Sequence, residues 1–205
     1  MQELLIATSN PGKFKEISQI LDGVPFRLLS LIDVGLQHFD VEEKGGTFAE
    51  NALLKAEFFA NKSLLPTMAE DSGIFINALA DELGIETRRW GAGTKASDQE
   101  WLDFFLERMD LEKDRNAKFV SNVCFLDLGK ELEEFFDGET EGIITQKAEA
   151  PILPGLPLSS CFKPVGLEKV YAALSAEEKN KVSHRGGAIR KLKNFLTDHK
   201  SCSNI

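Results

Sequence analysis

Three groups of polar residues, far apart in the chain, could do chemistry together. Near the N-terminus, Thr8-Ser9-Asn10-Pro11-Gly12-Lys13 follows the apolar run Leu4-Leu5-Ile6-Ala7 and precedes a helix-like stretch from Phe14 to Leu21. Backbone N–H groups, hydroxyls and a lysine at the start of a helix can grip an anion such as phosphate. In the first half of the chain stand Glu42-Glu43, Lys55 and Glu70-Asp71. Mg²⁺ usually binds through one or two carboxylates plus substrate phosphates, and a further carboxylate can take a proton from attacking water. A lysine would offset charge building on the phosphoryl oxygens, so these residues describe a metal–phosphate centre. Near the C-terminus, Lys179-Asn180 and Ser183-His184-Arg185 offer an ammonium, an imidazole and a guanidinium at close spacing. That donor set can read the acceptor edge of a base or hold further phosphate. Clusters of these kinds around one cleft point to a nucleotide.

Each group also has an ordinary structural reading. Glu42-Glu43 suits a solvated loop, Lys55 a snorkelling helix residue, Asp71-Ser72-Gly73 a turn, and His184 a capping or core-edge histidine. Thr8 to Lys13 could be an N-cap with no ligand, and it is not a P-loop, because the Gly-x4-Gly-Lys-Ser/Thr spacing is missing. Phe48, Phe58, Phe59, Trp101 and Phe105 read as core rather than as platforms for a base.

The elements that must position these residues follow from periodicity. Leu4 to Thr8 reads as a buried strand, Gly12 to Leu21 as a helix and Phe26 to Leu29 as a second strand, parallel to the first. Thr47 to Lys62 is the longest helical pattern, with Thr47 and Glu50 spaced as a capping box and Lys55 on the edge of the apolar face. Glu70-Asp71-Ser72-Gly73 is expected to interrupt or end a strand, with its carboxylates facing the cleft. Asp98 to Met109 is helical; Phe119 to Leu128 and Leu132 to Ile144 read as strands about a turn at Gly129-Lys130, forming an antiparallel second lobe. Pro151, Pro154, Pro157 and Pro164 make Ala150 to Pro164 a stiff loop. Helical pattern returns from Ala176, and Ile189 to Phe195 closes the chain as a helix.

At 205 residues and 42% hydrophobic, the chain has material for one fair-sized core or two lobes sharing a cleft. We expect residues 1–205 to form a single α/β domain, its two lobes not independent. The net charge of −9 argues against a nucleic-acid backbone as partner, although local lysines and Arg185 could still hold a polyphosphate. Cys124, Cys161 and Cys202 show neither disulfide-framework nor zinc spacing, and a reducing cytosol fits. A basic leader and an apolar stretch of ~20 residues are both missing, so a soluble, unexported protein is expected.

In order along the chain, Thr8-x-Asn10-x-Gly12-Lys13, Glu43, Thr47-Phe48-x-Glu50-Asn51-Ala52-x-x-Lys55-Ala56, Asp71-Ser72-Gly73, Arg89, Phe119 and Ser183-His184-Arg185 resemble the inosine triphosphate pyrophosphatase family. Its members are also known as noncanonical purine NTP pyrophosphatases or XTP/dITP diphosphatases. The resemblance runs from residue 4 to about 196. It implies a long mixed β-sheet forming two lobes, with helices packed around it and a central cleft, and usually a homodimer. It also implies Mg²⁺-dependent hydrolysis of ITP, dITP or XTP to the monophosphate and pyrophosphate, clearing deaminated purines from the cytoplasmic nucleotide pool. By the same resemblance Thr8, Asn10 and Lys13 would hold the triphosphate, and Glu43 with Glu70 the metal. Asp71 would activate water beside Lys55, Ser72 would lie near the substrate, and Lys179, His184 and Arg185 would lie at the base.

The chain departs from that family twice. Glu70 stands where relatives carry aspartate, which moves the carboxylate by one methylene. Gly155-Leu156-Pro157-Leu158-Ser159-Ser160-Cys161-Phe162 replaces a Gly-Phe-Gly-Tyr/Trp-Asp-Pro loop whose aromatic stacks on the purine. A lost base–aromatic stack is worth about 1–3 kcal/mol, so altered base selection is expected. Two alternatives stay open on these grounds: a pyrophosphatase for another modified nucleotide, and a catalytically weak homologue that binds nucleotides or a protein partner.

Overall fold

The computed structural model describes residues 2–80, 82–87, 90–93 and 95–198; Arg89 and Cys202 lie outside them. Strand β1 (Gln2–Ile6) leads through the first polar cluster into helix α1 (Pro11–Ile20) and back to strand β2 (Phe26–Leu29). The two strands pair in parallel, Gln2 opposite Phe26 and Leu5 opposite Leu29. Pro11 begins α1 because its fixed φ suits the first helical position, where a backbone N–H would go unused.

Helix α2 (Phe48–Ser63) starts at Thr47, whose side chain accepts from the Glu50 N–H. The return bond of the expected capping box is displaced by one residue, since Glu50 Oε2 accepts from the Gly46 N–H. Strand β3 (Thr67–Ile76) then runs unbroken through Glu70-Asp71-Ser72-Gly73. The sequence reading, which expected the acidic pair to interrupt or end a strand, is corrected here. Residues 67 to 76 all pair in antiparallel register with strand β4 (Asn116–Asp127), and that ladder overrides the turn preference of Asp-Ser-Gly.

Helix α3 (Asp98–Arg108) begins with a reciprocal Ser97–Glu100 capping box. Strand β5 (Leu132–Ile144) pairs with β4 along its full length. The expected stiff loop of residues 150–164 contains a 3₁₀ turn at Pro157–Ser160 and ends in the short edge strand β6 (Phe162–Pro164). Proline is tolerated there because an edge strand has one side free of ladder bonds. Helices α4 (Ala176–Val182) and α5 (His184–Asp198) follow, so the terminal helix starts five residues before Ile189.

The strands form one mixed sheet in the order β2-β1-β3-β4-β5-β6. Helices α1 and α5 cover one face over Ile6, Met68, Val123 and Phe125, and α2 covers the other over Leu5, Ala69 and Cys124. A third apolar cluster gathers α3 with the β6 region around Trp101, Phe105, Phe162 and Tyr171. Cys124 and Cys161 are buried and unbridged, and burial pushes both thiols up to about 12. Among the described residues, no helix is long and apolar enough to cross a membrane.

Candidate active site

β1 pairs with β3 only at Leu5–Thr67 and Ile6–Met68, after which the chain turns away into the Thr8–Lys13 cluster. From Ala69 onward β3 has β4 on one side and no strand on the other, among the described residues. A cavity of about 690 Å³ opens along this free edge. Successive strand residues point to opposite faces, so Glu70 and Ser72 face α1 and α5 while Asp71 faces α2. The cavity wraps the edge and reaches both faces: Lys13, Glu70, Ser72 and Arg185 line it on one side, Glu43, Lys55 and Asp71 on the other.

On the α2 face, Lys55 Nζ lies 2.6 Å from Glu43 Oε1 and 3.1 Å from Asp71 Oδ1. Burial favours the neutral amine, but Asp71 first and Glu43 next outweigh it and raise the Lys55 pKa above its ordinary value. The ammonium is thus fixed in its charged form. Asp71 is 6% exposed and its second oxygen, Oδ2, is buried without a hydrogen-bond partner. An unpaired carboxylate oxygen is costly to bury, which makes it the most reactive acceptor on this side of the cavity.

On the other face, Glu70 is enclosed by cations, although its Oε2 has an ion pair and no hydrogen bond. Its Oε1 receives Ser121 Oγ at 2.9 Å and Arg185 Nε at 3.2 Å, and its Oε2 pairs with Lys13 Nζ at 2.9 Å. Burial raises this carboxyl, but Arg185 and Lys13 overcome it and hold Glu70 well below the usual carboxylate range. Lys13 and Arg185 also reach Ser72 Oγ, at 3.0 and 3.2 Å.

Glu16, which the sequence reading did not single out, completes the network. Its two oxygens take Lys179 Nζ and Arg185 NH1, each at 2.5 Å. The signal was present: Glu16 follows Lys13 by three residues and shares its face of α1. Burial works against charge on all three groups. Arg185 and Lys179 nonetheless lower Glu16, Glu70 and Glu16 raise Arg185, while for Lys179 burial wins and its pKa falls. Lys179 Nζ also touches Ser159 Oγ at 3.3 Å, within the altered loop.

The first polar cluster is built differently from a bare anion nest. Asn10 Oδ1 accepts from the Gly12 and Lys13 N–H groups, at 2.9 and 3.1 Å, and Thr8 Oγ1 accepts from the Asn10 N–H. Those amides are occupied within the chain, so the Lys13 ammonium is the charged donor this cluster presents. Asn10 Nδ2 donates to the Gly155 carbonyl at 2.9 Å, which fastens the cluster to the altered loop. Two glycines permit the approach. A Cβ on Gly12 would meet the Pro154 carbonyl at 2.5 Å, and Gly155 takes φ +74 with Asn10 directly over it.

At the far end of the cavity Ser183 Oγ accepts from the Gly186 N–H and starts α5, placing His184 and Arg185 in its first turn. His184 stacks on Phe119, ring centroids 4.6 Å apart and planes within 7°. Burial first, then Arg185, keeps its imidazole far below its ordinary pKa, so it is neutral, and its Nδ1 has no partner. The structure thus gathers Thr8, Asn10, Lys13, Glu43, Lys55, Glu70, Asp71, Ser72, Lys179, His184 and Arg185 on the wall of one cavity. Four cationic groups (Lys13, Lys55, Lys179, Arg185) meet four carboxylates (Glu16, Glu43, Glu70, Asp71) around it.

Comparison with known proteins identifies the family. The Ham1 family model matches residues 4–195. The dITP/XTP pyrophosphatase of Leptospira interrogans is 33% identical over 195 residues, covering 95% of this chain and 97% of that protein. That of Thermus thermophilus is 36% identical over 192 residues, covering 93% and 89%. Among solved structures, a HAM1 protein from Coxiella burnetii superposes with a TM-score of 0.82 at 30% identity, covering 97% of this chain and all of that one. The Staphylococcus aureus Ham1 protein gives 0.80 at 31% identity over the same shares. With its fold and almost its whole length matched, the chain belongs to the Ham1 family.

Proposed function

We propose that the protein hydrolyses deaminated purine nucleoside triphosphates (dITP, XTP and ITP) between the α and β phosphates, releasing monophosphate and pyrophosphate. The observation that carries this reading is the pair formed by Lys55 and Asp71: a charged ammonium held against one carboxylate oxygen while the other, Oδ2, lies unpartnered on the cavity wall. Water placed at Oδ2 gives up its proton there as its oxygen bonds to the α-phosphorus. The bridging oxygen leaves with pyrophosphate, and Lys55 offsets charge on the phosphoryl oxygens. Lys13 holds the phosphate chain from the opposite face of β3.

An oxygen donor set suits Mg²⁺, and Glu43, which shares Lys55 with Asp71 on the cavity wall, fits that description. Among the described residues no group of three or more His, Cys, Asp or Glu could hold a metal unaided, so the ion would share its coordination between Glu43 and the substrate phosphates. Glu70, ion-paired with Lys13 and Arg185 and hydrogen-bonded by Ser121, fits the part of a charge anchor better than that of a metal ligand. When bound, Mg²⁺ neutralises phosphate charge that a wall of balanced ion pairs cannot.

Pyrophosphate release from dITP, XTP, ATP, GTP, CTP and UTP with Mg²⁺ tests the proposal. Turnover of dITP and XTP, loss on chelation, and a drop of roughly 10²–10⁴-fold in Asp71→Asn with nucleotide binding kept are the expected results. Turnover of pyrimidine triphosphates instead would move the substrate to another nucleotide. Binding without any turnover would make the protein a nucleotide-binding homologue.

A further inference from the structure

The cavity's apolar end contains polar atoms that the catalytic reading does not use. Trp101 Nε1 and His184 Nδ1 are buried without a hydrogen-bond partner, and both residues line the cavity. A buried tryptophan N–H normally finds a partner, so an unpaired one on this wall calls for a ligand that supplies it. Arg185 is not available for this, since its donors go to Glu16, Glu70 and Ser72. The altered loop contributes Leu158, which lines the cavity and packs in the same apolar cluster as Trp101.

Trp101 is placed there by α3. Asp98 Oδ2 accepts from the Gly155 N–H at 2.6 Å, tying the first turn of α3 to the altered loop. Three residues on, on the same side of the helix, the Trp101 indole lies parallel to Phe105 with centroids 5.5 Å apart. It packs in one apolar cluster with Leu158 and Tyr171. At 2% exposure its ring is core, so what it offers the cavity is its N–H and not a stacking face.

Building on the proposed function, we propose that Trp101 contributes to base specificity by donating its indole N–H to the C6 oxygen of the purine. Indole N–H is a donor only. Hypoxanthine and xanthine carry an oxygen at C6, as guanine does, whereas adenine carries an amine there. An amine set against the indole N–H brings two donors together and leaves both unpaired, which rejects adenine nucleotides. The altered loop then surrounds the base with apolar side chains, and selection passes from stacking to this donor.

Trp101→Phe keeps the ring against Phe105 and removes the donor. Its KM for dITP should rise on the order of tenfold, with kcat within about twofold, while the KM for dATP should fall because the donor clash is gone. An equal change for both nucleotides, or none, overturns the proposal. An independent readout uses the unaltered ring. The chain has two tryptophans, and the Trp90 indole N–H is held by Glu82 Oε2 at 3.3 Å, so Trp90→Phe identifies the Trp101 indole proton in a ¹⁵N-resolved spectrum. Saturating dIMP should move that proton downfield and dAMP should not; binding of dIMP without the shift overturns the proposal even if Trp101→Phe fails to fold. A dIMP shift in a protein that hydrolyses no triphosphate would sustain this role and remove the proposed reaction.

Discussion

Asn10 and Gly155 stand 145 residues apart in the chain, yet Asn10 Nδ2 lies 2.9 Å from the Gly155 carbonyl oxygen. One side chain therefore caps α1 with its oxygen and anchors the residue 150–164 loop with its nitrogen. The helix that carries Lys13 and the loop that carries Ser159 are thus joined by a single amide.

Asn10→Ala removes both functions, and its unfolding free energy in urea should fall by about 1–2 kcal/mol, the usual worth of a helix cap. Asn10→Asp keeps the cap oxygens and lacks the donor. It should retain most of that stability while KM for dITP rises several-fold. Equal stability loss in the two variants would show that the cap is not what the side chain contributes to folding.

Glu16→Gln leaves Lys179 and Arg185 buried with one carboxylate fewer between them. Breaking a buried ion pair from one side costs about 3–5 kcal/mol, and the lower half of that range is expected because Arg185 keeps Glu70. Lys179 has no second carboxylate partner among the described contacts and is already lowered by burial, so it is the group that should lose its proton more readily. Urea unfolding at pH 7 checks the cost; a loss under about 1 kcal/mol would contradict the network drawn here.

His184 sets a pH dependence whose sign follows from its burial. Its folded pKa lies well below the ordinary value of 6.5, so below pH 6.5 the unfolded chain binds a proton that the folded protein does not. Stability is full above 6.5 and falls as pH drops from there toward the folded pKa, with a limiting slope of about 1.4 kcal/mol per pH unit. Glu16 and Glu70 are both held below 4.5 and add nothing to that window. Unfolding at about pH 7.5 and 5.5 should differ by about 1 kcal/mol in the wild type, and the difference should vanish in His184→Leu.

Much of this was legible before the structure. β2 and β5 appear with the bounds read from periodicity, and Thr47 caps its helix, because apolar spacing and caps are local signals. The continuity of β3 was not legible. Asp71-Ser72-Gly73 has the composition of a turn, and only the β4 ladder, more than forty residues away, makes it a strand. Conscription of the Gly12 and Lys13 amides by Asn10 was equally hidden, since a cap and an anion nest use the same residues. Glu16 escaped for a different reason. A lone glutamate on a helix reads as solvent-facing until its partners, Lys179 and Arg185, arrive from the far end of the chain.

Glu70 and Asp71 are neighbours by one peptide bond and serve opposite faces of the sheet, opposite Val123 and Asn122 of β4 respectively. Their division of labour is therefore a matter of parity. A slip of a single residue between β3 and β4 would turn Asp71, the proposed base, toward Arg185 and Glu70, the proposed anchor, toward Lys55, keeping every side chain in the sequence while exchanging their duties. The long β4 ladder thus acts as the timing key of the site, and a deletion or insertion anywhere between Thr67 and Glu70 should be more damaging to catalysis than the loss of a single cation beside it.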